Sequence, residues 1–337
     1  MSARATSTPR IPRAAVERLL EKARRDTWSI REVSLDGPVR PMSRTDEEAV
    51  VQYLTDFIFI ERMAGAFFEA LRHKVDDPLV VELLGHFVED ETRHAQAMQL
   101  LADRFDVHHH RIYAANPHLV ALTQRMAEWI RLAPPDAASA AVTVGEIVFD
   151  IAYLKPVDDF VDDPVARAVF RRIHRDESRH IALDYLLLDA YGAEDVDLPK
   201  PTLAQTAALS LAFARALRAG VPFMREVFFG QSTHVDPDGR RLRDAVRRIQ
   251  LLSHRGQLSS RGFGRIYGAV QRAFDSPLAG PWARGLMGAL VNGDPEVFRS
   301  QFSAAERAAH VRRSAEDAAH ETVAAFAGVL DEPYAPT

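Results

Sequence analysis

Residues 76–94 read DDPLVVELLGHFVEDETRH, and residues 162–180 read DDPVARAVFRRIHRDESRH. The two units align without a gap at an offset of 86, and each sets a Glu (Glu91, Glu177) 14 residues after its second Asp. One Glu-x-x-His in a chain of 337 residues is expected about once by chance. Two of them inside matching units mark an internal repeat. Asp followed by Pro is a helix start, because the carboxylate caps free N–H groups and proline suits the first turn. Within a helix, residues i and i+3 carry Cβ atoms roughly 5–6 Å apart. Glu91 with His94, and Glu177 with His180, therefore each present one carboxylate and one imidazole to a common point.

Outward from these units the apolar periodicity is helical, and no segment alternates like a strand. The fold class expected is all-α. Thr45 and Glu48 have capping-box spacing and open a helix expected to run to about His73. The next helix starts at Pro78 and ends near Phe105, and a polar loop, Asp106 to Pro117, follows it. A helix over His118 to Leu132 stops at Pro134-Pro135; another begins near Asp136, carries Glu146, and should kink or end at Pro156. The second repeat then runs from Pro164 to about Tyr191, and further helices are expected over 202–229, 240–253 and 303–329.

Counting along each hairpin supplies partners for the two motifs. Glu61 lies 15 residues before Asp76, and Glu91 lies 13 after Pro78. At 1.5 Å rise per residue both stand about 20 Å from the turn, at one depth on antiparallel helices. Glu146, 16 residues before Asp162, matches Glu177, 13 after Pro164, in the same way. Apolar neighbours such as Phe57, Ile58, Ile60, Leu83, Leu84, Val142 and Ile147 mark these helices as largely buried. Four buried carboxylates need cations. Within the motifs only Arg93 and Arg179 are alternatives to metal.

Composition narrows the chemistry. Cysteine is absent, which excludes disulfides, thiolate metal sites, iron–sulfur clusters and cysteine nucleophiles, so any metal takes oxygen and nitrogen donors. The net charge of −5 gives no reason to expect nucleic acid or an anionic membrane as partner. Met1 to Arg13 has arginines but no apolar run behind them and reads as a frayed arm rather than a secretory signal. Leu203 to Phe229 is apolar but interrupted by Arg215, Arg218 and Arg225, so a membrane span is not expected. A cytoplasmic location is the default expectation.

At this point residues 45–191 resemble the ferritin-like di-iron carboxylate superfamily, in which two helices give one Glu each and two give Glu-x-x-His. The resemblance implies a four-helix bundle with additional C-terminal helices, and two iron ions as cofactor, with manganese in place of one iron compatible. It implies dioxygen as co-substrate. Glu91 and Glu177 would then bridge the metals, Glu61 and Glu146 would be terminal ligands, and His94 and His180 would each bind one metal. Asp90 and Asp176 look like acceptors behind the histidines, each orienting the histidine of the opposite motif. The Asp-Glu-x-x-His variants and the length are similar to two oxygenase groups, the p-aminobenzoate N-oxygenase-like family and the acyl-carrier-protein desaturases. The former carries a third histidine four residues before the second bridging Glu, where this chain has Ile173 and, one residue on, His174.

The implied function is an oxygenase or oxidase that N-oxygenates, hydroxylates or desaturates a small or carrier-protein-bound substrate. It would draw on a reductase or ferredoxin, and a homodimer is compatible. The alternative is a ferritin-like iron-handling protein without organic substrate. The domains expected are a lead-in over 1–44, the bundle over 45–198, and helices over 199–337 that wall a substrate pocket. Other features have two readings each. His174 is a third histidine ligand or a packed histidine. His108, His109 and His110 are loop residues or metal-binding. Asp317 and His320 imitate half a motif without a partner. Arg240 to Arg248 is a solvated face or a dock for an acidic carrier. Tyr53, Tyr153 and Tyr185 pack the core or relay protons.

Overall fold

The computed structural model describes residues 10–109, 114–193, 196, 201–255, 262–291 and 293–326. Among these the chain is helical throughout and contains no strand. The elements are α1 (Arg13–Arg25), α2 (Arg44–Arg72), α3 (Pro78–Phe105), α4 (Pro117–Leu132), α5 (Pro135–Phe149), α6 (Lys155–Val161) and α7 (Pro164–Gly192). They continue as α8 (Leu203–Phe223), α9 (Ser232–Val235), α10 (Arg240–Ser253), α11 (Gly262–Asp275), α12 (Gly280–Val291), α13 (Ala304–Arg312) and α14 (Ala315–Phe326).

The repeat starts both of its helices in one way. Asp77 accepts from the N–H groups of Leu79 and Val80 at 2.9 and 3.5 Å, and Asp163 from those of Val165 and Ala166 at 2.9 Å each. Each carboxylate satisfies donors that have no partner inside the helix, and Pro78 and Pro164 occupy the first turn. The turn before α7 places Asp162 in the left-handed region at φ 45°, a conformation that Asp tolerates better than most residues.

Helix α2 packs along α3, and α5 with α6 packs along α7; α3 meets α7 and α2 meets α5, which closes a bundle of two hairpins. The interior is lined by residues such as Phe57, Phe68, Leu83, Phe87, Ile147, Phe170 and Ile173, none more than 1% exposed. Fully burying each such side chain stabilises the fold by about 1.5–3 kcal/mol. Gly65 sits where α2 and α3 come closest: a Cβ there would lie 3.2 Å from the Cβ of Glu91. Helix α14 lies against α7, α10 against the end of α5, and α8 against α4.

Several boundaries differ from the sequence expectation. Helix α2 starts two residues early because Ser43, not Thr45, is the cap: its hydroxyl accepts from Asp46 N at 3.1 Å. The helix carrying Glu146 ends at Phe149, seven residues before Pro156, and a new one, α6, starts around that proline. A π turn over Asp150–Leu154 intervenes, in which the Lys155 N–H reaches back to the Asp150 carbonyl. The widened turn carries the chain into α6 with Pro156 in its first turn, where a missing N–H costs nothing. The expected helix over 303–329 breaks at Arg313-Ser314, and its last three residues lie outside the described ones. Helices α1, α11 and α12 have no counterpart in the sequence expectation. Residues 1–9 of the expected arm and His110 also lie outside the described residues.

Two helical stretches are long and apolar enough to cross a membrane by length and composition. The most apolar 18-residue window of Pro135–Val161 is 67% buried inside the protein, and that of Leu203–Val227 only 17%.

Candidate metal centre

Glu61 comes from α2, Glu91 and His94 from α3, Glu146 from α5, and Glu177 and His180 from α7. All six side chains are buried, and the bundle brings them together as two overlapping groups: Glu61, Glu91, His94 and Glu177, and Glu91, Glu146, Glu177 and His180. Within each group the donor atoms lie inside 4.8 Å of one another, so either could hold a metal ion. Glu91 and Glu177 belong to both.

The imidazole Nδ1 atoms face this cluster. His94 Nδ1 stands 3.0 Å from a Glu177 oxygen and 3.7 Å from Glu91, and His180 Nδ1 stands 3.0 Å from Glu177, 3.2 Å from Glu91 and 3.7 Å from Glu146. On the far side of each ring the two motifs cross-brace. His94 Nε2 lies 3.2 Å from Asp176 Oδ2, and His180 Nε2 lies 3.3 Å from Asp90 Oδ2. A carboxylate accepts only, so each pair places the proton of a neutral ring on Nε2 and leaves the Nδ1 lone pair turned to the cluster.

Asp176 is itself held by Trp28 Nε1, which donates at 2.6 Å, and by Arg179 Nη2 at 2.6 Å. Arg179 also reaches Asp90 at 3.3 Å, and Arg93 pairs with Asp90. The two arginines thus neutralise the aspartates behind the histidines, and among the described residues no lysine or arginine pairs with the four glutamates. Ring packing fixes His180 further: its centroid is 4.1 Å from Phe87 and 5.1 Å from Phe68.

Without metal the electrostatics are those of crowded carboxylates. Burial, then Glu91, holds the Glu61 carboxyl well above its ordinary range; burial, then Glu177, does the same to Glu146. Burial works against ionising Glu177 too, but His180 and His94 outweigh it and hold that carboxyl well below its usual range. For both histidines burial opposes the charge, and it is outweighed by Asp176 and Glu177 at His94 and by Glu177 and Asp90 at His180, so both are raised. Asp176 falls to about 2: burial resists, and His94, Arg179 and Trp28 win.

The residues present fit a metal pair. Both carboxylate oxygens of Glu91 and the Nδ1 of His94 are buried without a hydrogen bond, although their neighbours are close, as expected of lone pairs converging on a shared point. Oxygen and imidazole donors suit iron, manganese or zinc.

Not every candidate joins the cluster. His174 is buried but belongs to neither group: it lies one turn toward the start of α7, about 4.5 Å below Glu177, where Asp158, Lys155, Glu177 and His94 are its charged neighbours. Burial lowers it to about 4. His108 is tied to Glu47, at 2.8 Å through its backbone N–H and 2.5 Å through Nδ1. Asp317 accepts from Ser314 at the start of α14. The arginine run on α10 is spent inside the chain: Arg241 pairs with Asp159, Arg247 with Glu306 and Arg248 with Asp244. Tyr53 and Tyr153 stack at 4.2 Å, with Tyr153 3.5 Å from Asp56, and Tyr185 meets Thr322 at 3.0 Å.

Two carboxyls beside the centre went unread in the sequence. Asp150, four residues after Glu146 and so on the same helix face, is buried in the π turn with Oδ2 unpartnered. Burial, then Glu177 and Glu91, holds it well above its ordinary range. Asp184, one turn beyond His180, is fully buried, and burial raises it to about 8.

Neither the known protein-family models nor the curated proteins give a match to this chain.

Proposed function

We propose that the chain is a ferritin-like di-iron oxidoreductase that uses dioxygen to oxidise an organic substrate. The observation that carries the proposal is the pair of overlapping donor groups sharing Glu91 and Glu177, with no lysine or arginine paired to the four glutamates among the described residues. Four glutamates balance two divalent ions, and the fixed tautomers give each ion one imidazole nitrogen. Glu61, Glu91, Glu146, Glu177, His94 and His180 would hold the metals, with Glu91 and Glu177 within reach of both. Iron held by such donors supplies two-electron reduction of dioxygen.

The chain's own residues account for the rest. Asp90 and Asp176 keep the histidines aimed, and Arg93, Arg179 and Trp28 hold those aspartates in place. Phe68 and Phe87 exclude water beside His180. Asp150 sits beside the centre at the widened turn, where burial, then Glu177 and Glu91, favour its protonated form. Inserting one oxygen atom into a substrate and releasing the other as water takes two electrons and two protons, so a reductase or ferredoxin is part of the proposal. The substrate is small or carrier-bound, and helices beyond the bundle are offered as its pocket walls.

The test begins with metal analysis of protein from metal-replete cells, where about two ions per chain are expected. Ferrous protein is then exposed to oxygen with excess iron. Oxygen consumption without an accumulating iron core supports the oxidoreductase, and uptake of many irons per chain refutes it in favour of iron storage.

A further inference from the structure

Helix α8 is apolar on two opposite faces. Ala212, Ala216 and Phe223 are buried, on the side where α8 packs along α4 and Phe223 meets Phe149 of α5. The opposite stripe, Leu203, Ala207, Leu211, Ala214 and Leu217, recurs every three or four residues and turns outward: Leu203 is 91% exposed and Leu217 54%. Such a helix normally belongs in a core or in lipid. Helix α12, which packs on α8 and on the segment following it, repeats the pattern. Leu278 just before it, then Trp282, Leu286 and Leu290, are spaced by four; Leu278 is 88% and Trp282 84% exposed. Scattered exposed leucines need no explanation, but two touching helices with outward apolar stripes do.

Charge selects the occupant. Neither Leu203–Phe223 nor Gly280–Val291 contains an Asp or Glu, and both carry arginine: Arg215, Arg218 and Arg284. Arg215 also reaches Glu128 on α4 at 3.3 Å, and Arg284 reaches Glu296 at 3.0 Å, so both acids come from neighbouring elements, and among the described residues Arg218 pairs with no carboxylate. A second copy docking here would set against each other two helices that carry arginine and no acid of their own. An anionic headgroup layer meets it. Tryptophan at the edge of an apolar stripe is likewise the side chain that suits the headgroup boundary. We propose that the α8–α12 face lies in the surface of an anionic bilayer, with leucines and Trp282 below the headgroups and arginines among them. Helix α8 lies along the membrane rather than through it, since its other face is committed to α4. The proposal stands independently of the metal centre.

The test is flotation of the full chain with phosphatidylcholine vesicles, with and without phosphatidylglycerol. Binding is expected, stronger with phosphatidylglycerol. Leu211→Gln and Leu286→Gln should each lower partitioning roughly tenfold or more on both kinds of vesicle. Arg215→Gln and Arg218→Gln should each lower it about fivefold on anionic vesicles only. Brominated lipid should quench the wild type's fluorescence, and Trp282→Phe should remove most of that quenching, since Trp28 is buried and Trp129 is only partly exposed. Unchanged circular dichroism keeps the variants comparable. Failure to float, binding indifferent to the leucines, or a dimer in sedimentation that Leu286→Gln dissolves would each overturn the proposal.

Discussion

The sharpest prediction separates the shared glutamates from the unshared ones. Glu91 belongs to both donor groups, whereas Glu61 belongs to one and Glu146 to the other. Replacing Glu91 with Ala leaves each of two bound divalent ions short of one negative donor in a buried site. Uncompensated buried charge costs about 3–5 kcal/mol, which is roughly 150- to 4,000-fold in affinity. Both ions should feel it, so Glu91→Ala should bind essentially none at micromolar metal. Glu61→Ala and Glu146→Ala should each retain about one ion per chain, held by the intact group. Anaerobic titration with manganese(II), followed by elemental analysis of the desalted protein, reads both stoichiometry and affinity. The reasoning fails if Glu91→Ala keeps two ions within about threefold of wild-type affinity, or if all three variants lose metal alike.

The remaining predictions are briefer. Asp176→Asn should weaken metal binding about 10- to 100-fold, chiefly in the group holding His94, because the amide no longer fixes that ring; the same manganese titration measures it. Metal affinity should rise with pH: Glu61, Glu146, His94 and His180 are all raised and hold protons that metal must displace. Calorimetry in buffers of different ionisation enthalpy should therefore show protons released on binding. His174→Ala should leave metal stoichiometry unchanged, since the ring lies a turn away from both groups; loss of an ion, by elemental analysis, would make it a ligand. Asp184 is raised from 3.8 to about 8, so the native state binds the extra proton between those values. Its contribution to stability is full below pH 4 and is lost as pH rises through 8, on the order of 5 kcal/mol. Urea unfolding of metal-free Asp184→Asn should accordingly show a flatter stability profile across that window than wild type.

Sequence reading reached furthest where the signals are local. The Asp-Pro starts of α3 and α7 are set by a carboxylate two residues from the N–H it caps, and the i, i+3 spacing puts Glu and His on one face whatever surrounds them. The depth count that paired Glu61 with Glu91 needs only helical rise and a tight turn. Trp28 is different: it reaches Asp176 across 148 residues, and nothing near Trp28 announces a distant carboxylate. Asp150 could have been read, since four residues from Glu146 is one helical face; the π turn that holds it could not, because the expected response to Pro156 is a break. The apolar content of α8 and α12 is plain in the sequence, but whether an apolar stripe faces a neighbour or solvent depends on how helices pack.

The cross-bracing of the two motifs carries a consequence for how such a molecule can change. Each histidine is steadied by the aspartate of the other repeat, so neither hairpin contains a complete half of the centre. A substitution in one repeat is felt in the other, and the two copies cannot drift apart independently. A lone hairpin would have needed an identical companion facing it, its aspartate lent in exchange for one received; the single chain keeps that reciprocity with the exchange made permanent.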